Sequence, residues 1–192
     1  MLYSIIPKLM KNRIEKHKLK PDLYYSAIWN IDFSELAGMG VENLIVDVDS
    51  TIAHNDSWEI DQRAREAIVG VLAQKMMKNA CLVSNIATGK KREQRVAKMA
   101  KELNIPYVAA RLFHLKPNPK PFLMGLKCMD ATPENTAVIG DQIFTDIIGG
   151  NRLGMVTVLV KPLGKVHWST IFTFKRYRER RLLEKFGMEL AD

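Results

Sequence analysis

Leu44-Ile45-Val46-Asp47-Val48-Asp49-Ser50-Thr51 is the stretch that decides the fold, because in it an apolar run stops abruptly at two carboxylates. A β-branched run of this kind reads as a buried strand, and the Asp pair then lies at its carboxyl end, where open α/β sheets bind ligands. Residues two apart on an extended strand point the same way, whereas a loop can re-aim the second one, so both acids reach one site. Like charges so close repel each other unless a cation or a shared proton relieves them. Asp-x-Asp alone is equally explained by a solvated turn or a cap, and the rest of the chain must supply the missing parts.

Working outward from that strand, residues 52 to 60 read as a loop. Asp61 then opens a helix with Ala64, Ala67, Ile68, Val71, Leu72 and Met76 at helical spacing. Ala80-Cys81-Leu82-Val83 is a second buried strand ending at Ser84-Asn85, followed by a helix carrying Val96, Met99, Ala100 and Leu103. A third strand spans Tyr107 to Ala110, and the proline-rich loop from Lys116 to Pro121 admits a helix through Phe122, Leu126 and Met129. Thr136-Ala137-Val138-Ile139 is a fourth strand, broken at Gly140-Asp141, with Asp146 in the first turn of the next helix; Val156 to Val160 is a fifth. Strands alternating with helices argue a Rossmann-like, doubly wound parallel sheet with right-handed crossovers.

The 192 residues suit one substantial domain. Its expected parts are residues 1–40, a basic amphipathic segment and connector; 41–165, the α/β core; and 166–192, a basic helix packed on the core or extending from it. The formal charge of +8, with basic residues concentrated at both ends and around residues 88 to 101, favours phosphate-bearing partners without choosing among nucleic acid, anionic lipid and small phosphoesters. Near the N-terminus, Leu2, Ile5, Ile6, Leu9 and Met10 alternate with lysines and an arginine, which suits a helix on anionic lipid or one packed on its own domain. Over Ser169 to Phe186 basic and aromatic residues interleave, which suits nucleic acid or a lipid surface, or a helix packing its apolar side on the sheet edge with its charges in water. Cys81 and Cys128 are the only cysteines, and His17, His54, His114 and His167 are too scattered to hold zinc. No run is long enough to cross a bilayer and no secretory signal is visible, so the expected location is cytoplasmic, peripheral to a membrane if the basic ends bind lipid.

Four strand ends therefore carry polar groups: Asp47 and Asp49, Ser84 and Asn85, Lys116, and Asp141 with Asp146. The steps from Asp49 to Ser84, Ser84 to Lys116 and Lys116 to Asp141 are 35, 32 and 25 residues, each about one helix-and-strand unit. In a parallel sheet these ends converge on one edge. A carboxylate there can attack phosphorus once the phosphoryl charge is neutralised, a second acid can move the proton of the leaving group and of the later water, and a hard cation takes oxygen ligands. Asp47 is the expected nucleophile and Asp49 the acid and base. Mg2+ falls to Asp47, Asp141 and the Asp49 backbone carbonyl, with Asp146 as ligand or supporting group. Ser84, with Asn85 beside it, is expected to meet the phosphoryl oxygens, Lys116 to supply a point charge that also keeps Asp47 ionised, and Thr51 to hold the Asp49 loop; all four are placed in the substrate site. Lys120 is the rival to Lys116.

The four motifs Asp47-Val48-Asp49-Ser50-Thr51, Val83-Ser84-Asn85, Lys116-Pro117-Asn118-Pro119 and Gly140-Asp141 through Asp146 resemble those of the haloacid dehalogenase superfamily of phosphotransferases. The resemblance is to its subclass IIIA, which lacks a large cap domain, and within that to the YqeG-like family, related to phosphatidylglycerophosphate phosphatases. It implies an Mg2+-dependent phosphomonoester hydrolase working through an aspartyl-phosphate. It also implies an open site suited to a membrane-held lipid phosphate such as phosphatidylglycerophosphate. Two other readings stay open: a phosphatase for nucleic-acid ends or phosphoproteins, and a binding module that keeps the fold without turnover.

Overall fold

The computed structural model describes residues 19–87, 89–164 and 170–191, with the side chains of 87 and 170–176 outside that description. The amphipathic stripe read over residues 1–20 therefore lies almost wholly outside the described residues, as does the aromatic-basic interleaving of the first turns of the last helix. Six strands form one sheet: β1 (Leu23–Tyr25), β2 (Asn43–Val46), β3 (Asn79–Ala87), β4 (Tyr107–Arg111), β5 (Thr136–Gly140) and β6 (Val156–Val160). Their order is β1-β6-β5-β2-β3-β4, and every pairing is parallel. From β2 the chain winds outward through β3 to β4, then returns to the opposite side of β2 for β5 and β6. The crevice between β2 and β5 is thus the topological switch point, where such sheets bind their ligands.

Alternation along β2 builds both faces of the core. Leu44 and Val46 join Ala64, Ile68 and Val71 of helix α2 (Gln62–Ala73) and Val96, Met99 and Leu103 of α3 (Lys90–Leu103). Ile45 joins Phe122, Leu126 and Met129 of α4 (Pro119–Met129) on the other side. Each of these buried aliphatic side chains is worth about 1.5–3 kcal/mol, so a slip of β2 by one residue would forfeit both faces. The helices begin where side chains satisfy their first amides. Asp61 accepts from the Arg63 amide at 3.0 Å, and Asn118 accepts from the Lys120 amide at 2.9 Å; such caps contribute about 1 kcal/mol each. A short helix, α5 (Ile148–Leu153), links to β6.

Two elements differ from expectation. The connector read over Asp22 to Gly40 supplies β1, which adds to the sheet edge beside β6, and a short capped helix at Phe33–Gly38. Second, β3 does not stop at Ser84-Asn85: it runs to Ala87, because Ser84 and Asn85 pair with Ala109 and Ala110 of β4. At the far end, helix α6 (Thr170–Phe186) lays Leu182 and Leu183 against Ile143, Ile147 and Leu159, so its apolar side packs on the domain. Between β2 and β3 stand only a loop and α2, and between β3 and β4 only α3, which leaves no cap domain.

Candidate active site

Backbone geometry brings the acids together. The Asp47 amide donates to the Ile139 carbonyl at 2.9 Å, continuing the β2–β5 ladder one residue past Val46. Asp141 follows Gly140, the last residue of β5, and a wide turn over Ile143–Ile147 carries Asp146 back beside it. The Asp146 carboxylate closes that turn by accepting from the Gln142 amide at 3.2 Å and the Thr145 hydroxyl at 3.1 Å. Asp47, Asp141 and Asp146 are all buried, and one carboxylate oxygen of each lies within 4.8 Å of the others.

Lys116 is the counter-charge. Its ammonium sits 2.5 Å from Asp47 Oδ1, 2.7 Å from Asp146 Oδ1 and 2.7 Å from the Val83 carbonyl oxygen, with the side chain 3% exposed. The ammonium donates to Asp47 Oδ1 and the Val83 carbonyl and forms an ion pair with Asp146. Lys120 is exposed on α4 and is not the site lysine.

Burial pushes the Asp47 carboxyl well above the usual carboxylate range; Lys116 pulls it back, and Asp146 and Asp141 push it up again. For Lys116 burial works downward, but the facing Asp146 and Asp47 outweigh it and the ammonium is held protonated. Three carboxylates against one ammonium leave two negative charges, which a divalent cation would neutralise. All the donors are hard oxygens, which suits Mg2+.

The remaining expected residues fall into place unequally. The chain folds back on itself directly after Asp49, with the Ser50 amide on the Ala53 carbonyl at 2.8 Å and the Ile52 amide on the Val48 carbonyl at 3.1 Å. There the Asp49 side chain is 34% exposed, unlike those of the three buried acids. Thr51 is buried in the turn, and its hydroxyl finds no hydrogen-bond partner among the described residues. Ser84 is buried at the level of Val48, two residues beyond the pairing of Leu82 with Val46. Asn85 clamps the Lys116 backbone: its side-chain oxygen accepts from the Lys116 amide at 2.8 Å and its amide donates to the Lys116 carbonyl at 3.3 Å. It therefore positions the lysine.

Arg95 was missed. It is buried on α3, donates to Asp49 Oδ1 at 2.6 Å and to the Ser57 carbonyl at 2.9 Å, and so ties Asp49 to the helix. The signal was present in the sequence: Arg95 stands four residues before Met99 and eight before Leu103, on the apolar stripe of α3, where an unpaired charge would be costly.

A parallel sheet of this strand order, with buried acids gathered at its switch point, is that of a haloacid dehalogenase-type phosphatase, and the comparisons agree. A family model described as mitochondrial PGP (phosphatidylglycerophosphate) phosphatase matches residues 4–163. The chain belongs to that family, and it is a phosphoric monoester hydrolase. It is 32% identical over 164 residues to "Probable phosphatase YqeG" of Bacillus subtilis, covering 85% of this chain and 88% of that one. It is 31% identical over 144 residues to the chloroplastic phosphatidylglycerophosphate phosphatase 1 of Chlamydomonas reinhardtii; that match covers 74% of this chain and 53% of the algal protein. An uncharacterized protein from Corynebacterium glutamicum shares the fold, with a TM-score of 0.53, 17% identity and coverage of 80% of this chain and 100% of that one. Among the described residues no helix is long and apolar enough to cross a membrane.

Proposed function

We propose that this chain is an Mg2+-dependent phosphatase that carries the phosphoryl group on Asp47 and acts on a lipid phosphomonoester of the phosphatidylglycerophosphate kind. The observation that carries the reading is Asp47 itself. It is a buried carboxylate at the switch point, held on one oxygen by Lys116 and flanked by two more acids within 4.8 Å. Asp47, Asp141 and Asp146 would hold the cation, which supplies charge neutralisation for the phosphoryl oxygens.

An Asp47 oxygen attacks phosphorus as the bond to the leaving alkoxide breaks, giving an acyl phosphate on Asp47. The alkoxide leaves with a proton from Asp49. Water then attacks the acyl phosphate, giving its proton to Asp49, and inorganic phosphate departs as Asp47 regains its carboxylate. Asp49 suits this role because Arg95 takes one of its oxygens and the other makes no hydrogen bond among the described residues. Lys116 favours the ionised form of Asp47 before the attack and orients it.

Two features support a lipid. Among the described residues no cap domain covers the site to exclude a bulky substrate, and relatives in the family bear the phosphatidylglycerophosphate phosphatase name. The test is phosphate release by the purified protein, with Mg2+ or with EDTA. Substrates would be phosphatidylglycerophosphate in vesicles, a sugar phosphate, a nucleotide and a 5′-phosphorylated oligonucleotide. The expected result is metal-dependent turnover fastest on the lipid and abolished in Asp47→Asn, with phosphoprotein accumulating in Asp49→Asn. Undiminished activity in Asp47→Asn would overturn the mechanism, and preference for the oligonucleotide would overturn the substrate.

A further inference from the structure

The loop that delivers Lys116 to the site also carries the most exposed aromatic side chain among the described residues. Phe113 is 89% exposed and Leu112 beside it 51% exposed, at the carboxyl end of β4. Phe113 also has φ +75°, a backbone conformation that costs a non-glycine residue stability and turns the chain sharply at the tip. Two adjacent large apolar side chains held in water, one on a strained backbone, are not explained by packing, since neither belongs to the core.

Their surroundings name the occupant. Leu112 and Phe113 line one wall of a groove of about 440 Å³ whose other wall is Gly89, Lys90 and Glu93 at the start of α3. Lys90 and Lys91 are exposed there, while Glu93 is taken by Arg111 at 2.5 Å, so the acid on this rim is already neutralised. The carboxyl ends of β3 and β4 form the same sheet edge as the site. Apolar tips flanked by uncompensated lysines match a surface that is anionic outside and hydrocarbon beneath, and a protein partner would not need both.

We infer that the Leu112-Phe113 tip is a membrane wedge, inserting into an anionic bilayer while Lys90 and Lys91 meet its headgroups, so that the site edge faces the lipid. The inference deepens the lipid reading above and rests on it for its purpose, though not for its test.

That test is sedimentation of the full chain with vesicles of phosphatidylglycerol in phosphatidylcholine and with phosphatidylcholine alone, at low and high salt, with no substrate present. Hydrolysis of a soluble aryl phosphate is measured in parallel. Phe113→Ser with Leu112→Ser should lower binding to the anionic vesicles by roughly a hundredfold, since each lost apolar contact is worth about tenfold. Lys90→Glu with Lys91→Glu should lower it by a similar factor and weaken its salt dependence, with soluble-ester turnover unchanged in both variants. Unchanged vesicle binding in either pair overturns the wedge. If the apolar pair alters the oligomeric state while vesicle binding persists, the tip is an interface between copies and the inference falls. Should vesicle binding depend on the tip while no lipid phosphate is hydrolysed, the substrate reading fails and the wedge stands.

Discussion

Lys116→Met removes a buried ammonium of nearly the same length and leaves Asp47, Asp141 and Asp146 facing one another without a counter-charge. Stripping one partner from a buried ion pair costs about 3–5 kcal/mol. Here the ammonium serves two carboxylates at 2.5 and 2.7 Å and the Val83 carbonyl. For a chain of this size each kcal/mol lowers the melting temperature by about 2–4 °C, so a fall on the order of 10 °C is expected in EDTA at pH 8. The pH dependence has a definite sign. Burial already raises the Asp47 carboxyl above its unfolded value, and loss of Lys116 raises it further. A carboxyl so raised costs stability above its unfolded pKa, and the cost fades as acid protonates it. Asp47 titrates at about 8 in the wild type and higher in the variant, so the gap between them should narrow from pH 9 towards pH 7 and stay level below that. A cation takes the ammonium's place among the acids, so Mg2+ should raise the variant's melting temperature by more than the wild type's. Thermal melts by circular dichroism, with EDTA and with Mg2+ at pH 7, 8 and 9, measure all three effects. A variant that melts within about 2 °C of wild type in EDTA at pH 8, or gains no more from Mg2+, would refute the idea that Lys116 offsets the acidic cluster.

Three further outcomes follow from particular contacts. A Cβ on Gly140 would run into the Asp146 carboxylate, so Gly140→Ala should cost about 1–3 kcal/mol by overpacking. It should also shrink the Mg2+-induced rise in melting temperature, both read from the same melts. Arg95→Ala frees Asp49 from α3 and should lower kcat on the order of a hundredfold with little change in KM, Arg95→Lys recovering part of it; a rise in KM at unchanged kcat would instead make Arg95 a substrate ligand. Burial pushes the Cys81 thiol up to about 12, with Cys128 adding a little, whereas Cys128 is exposed. An aromatic disulfide reagent at pH 8 should therefore label one thiol in the folded chain and the second only after denaturation.

What could be read from the sequence follows from what each residue depends on. Strands β2, β5 and β6 are legible because their residues are buried almost throughout, so composition alone marks them. Strand β1 is three residues long and half covered, and it exists only because β6 offers it an edge, a dependence that no local window contains. The polar end of β3 misleads for a related reason: Ser84 and Asn85 look like a terminus, yet their backbones are paired by β4.

The site divides in the same way. Asp47, Asp141 and Asp146 could be found because parallel topology brings strand ends to one edge whatever the side chains do. The residues that hold the machinery in place depend on contacts made across the fold. Asn85 grips the backbone of a lysine 31 residues away, and Arg95 reaches an acid 46 residues back. The centre of the chemistry thus follows from strand order, whereas its tuning is spread over α3 and the β4 loop, so relatives with the same four motifs can differ in how Asp49 is held. A change at Arg95 would alter proton transfer and leave the three buried acids in place, because α3 contributes no carboxylate to that cluster.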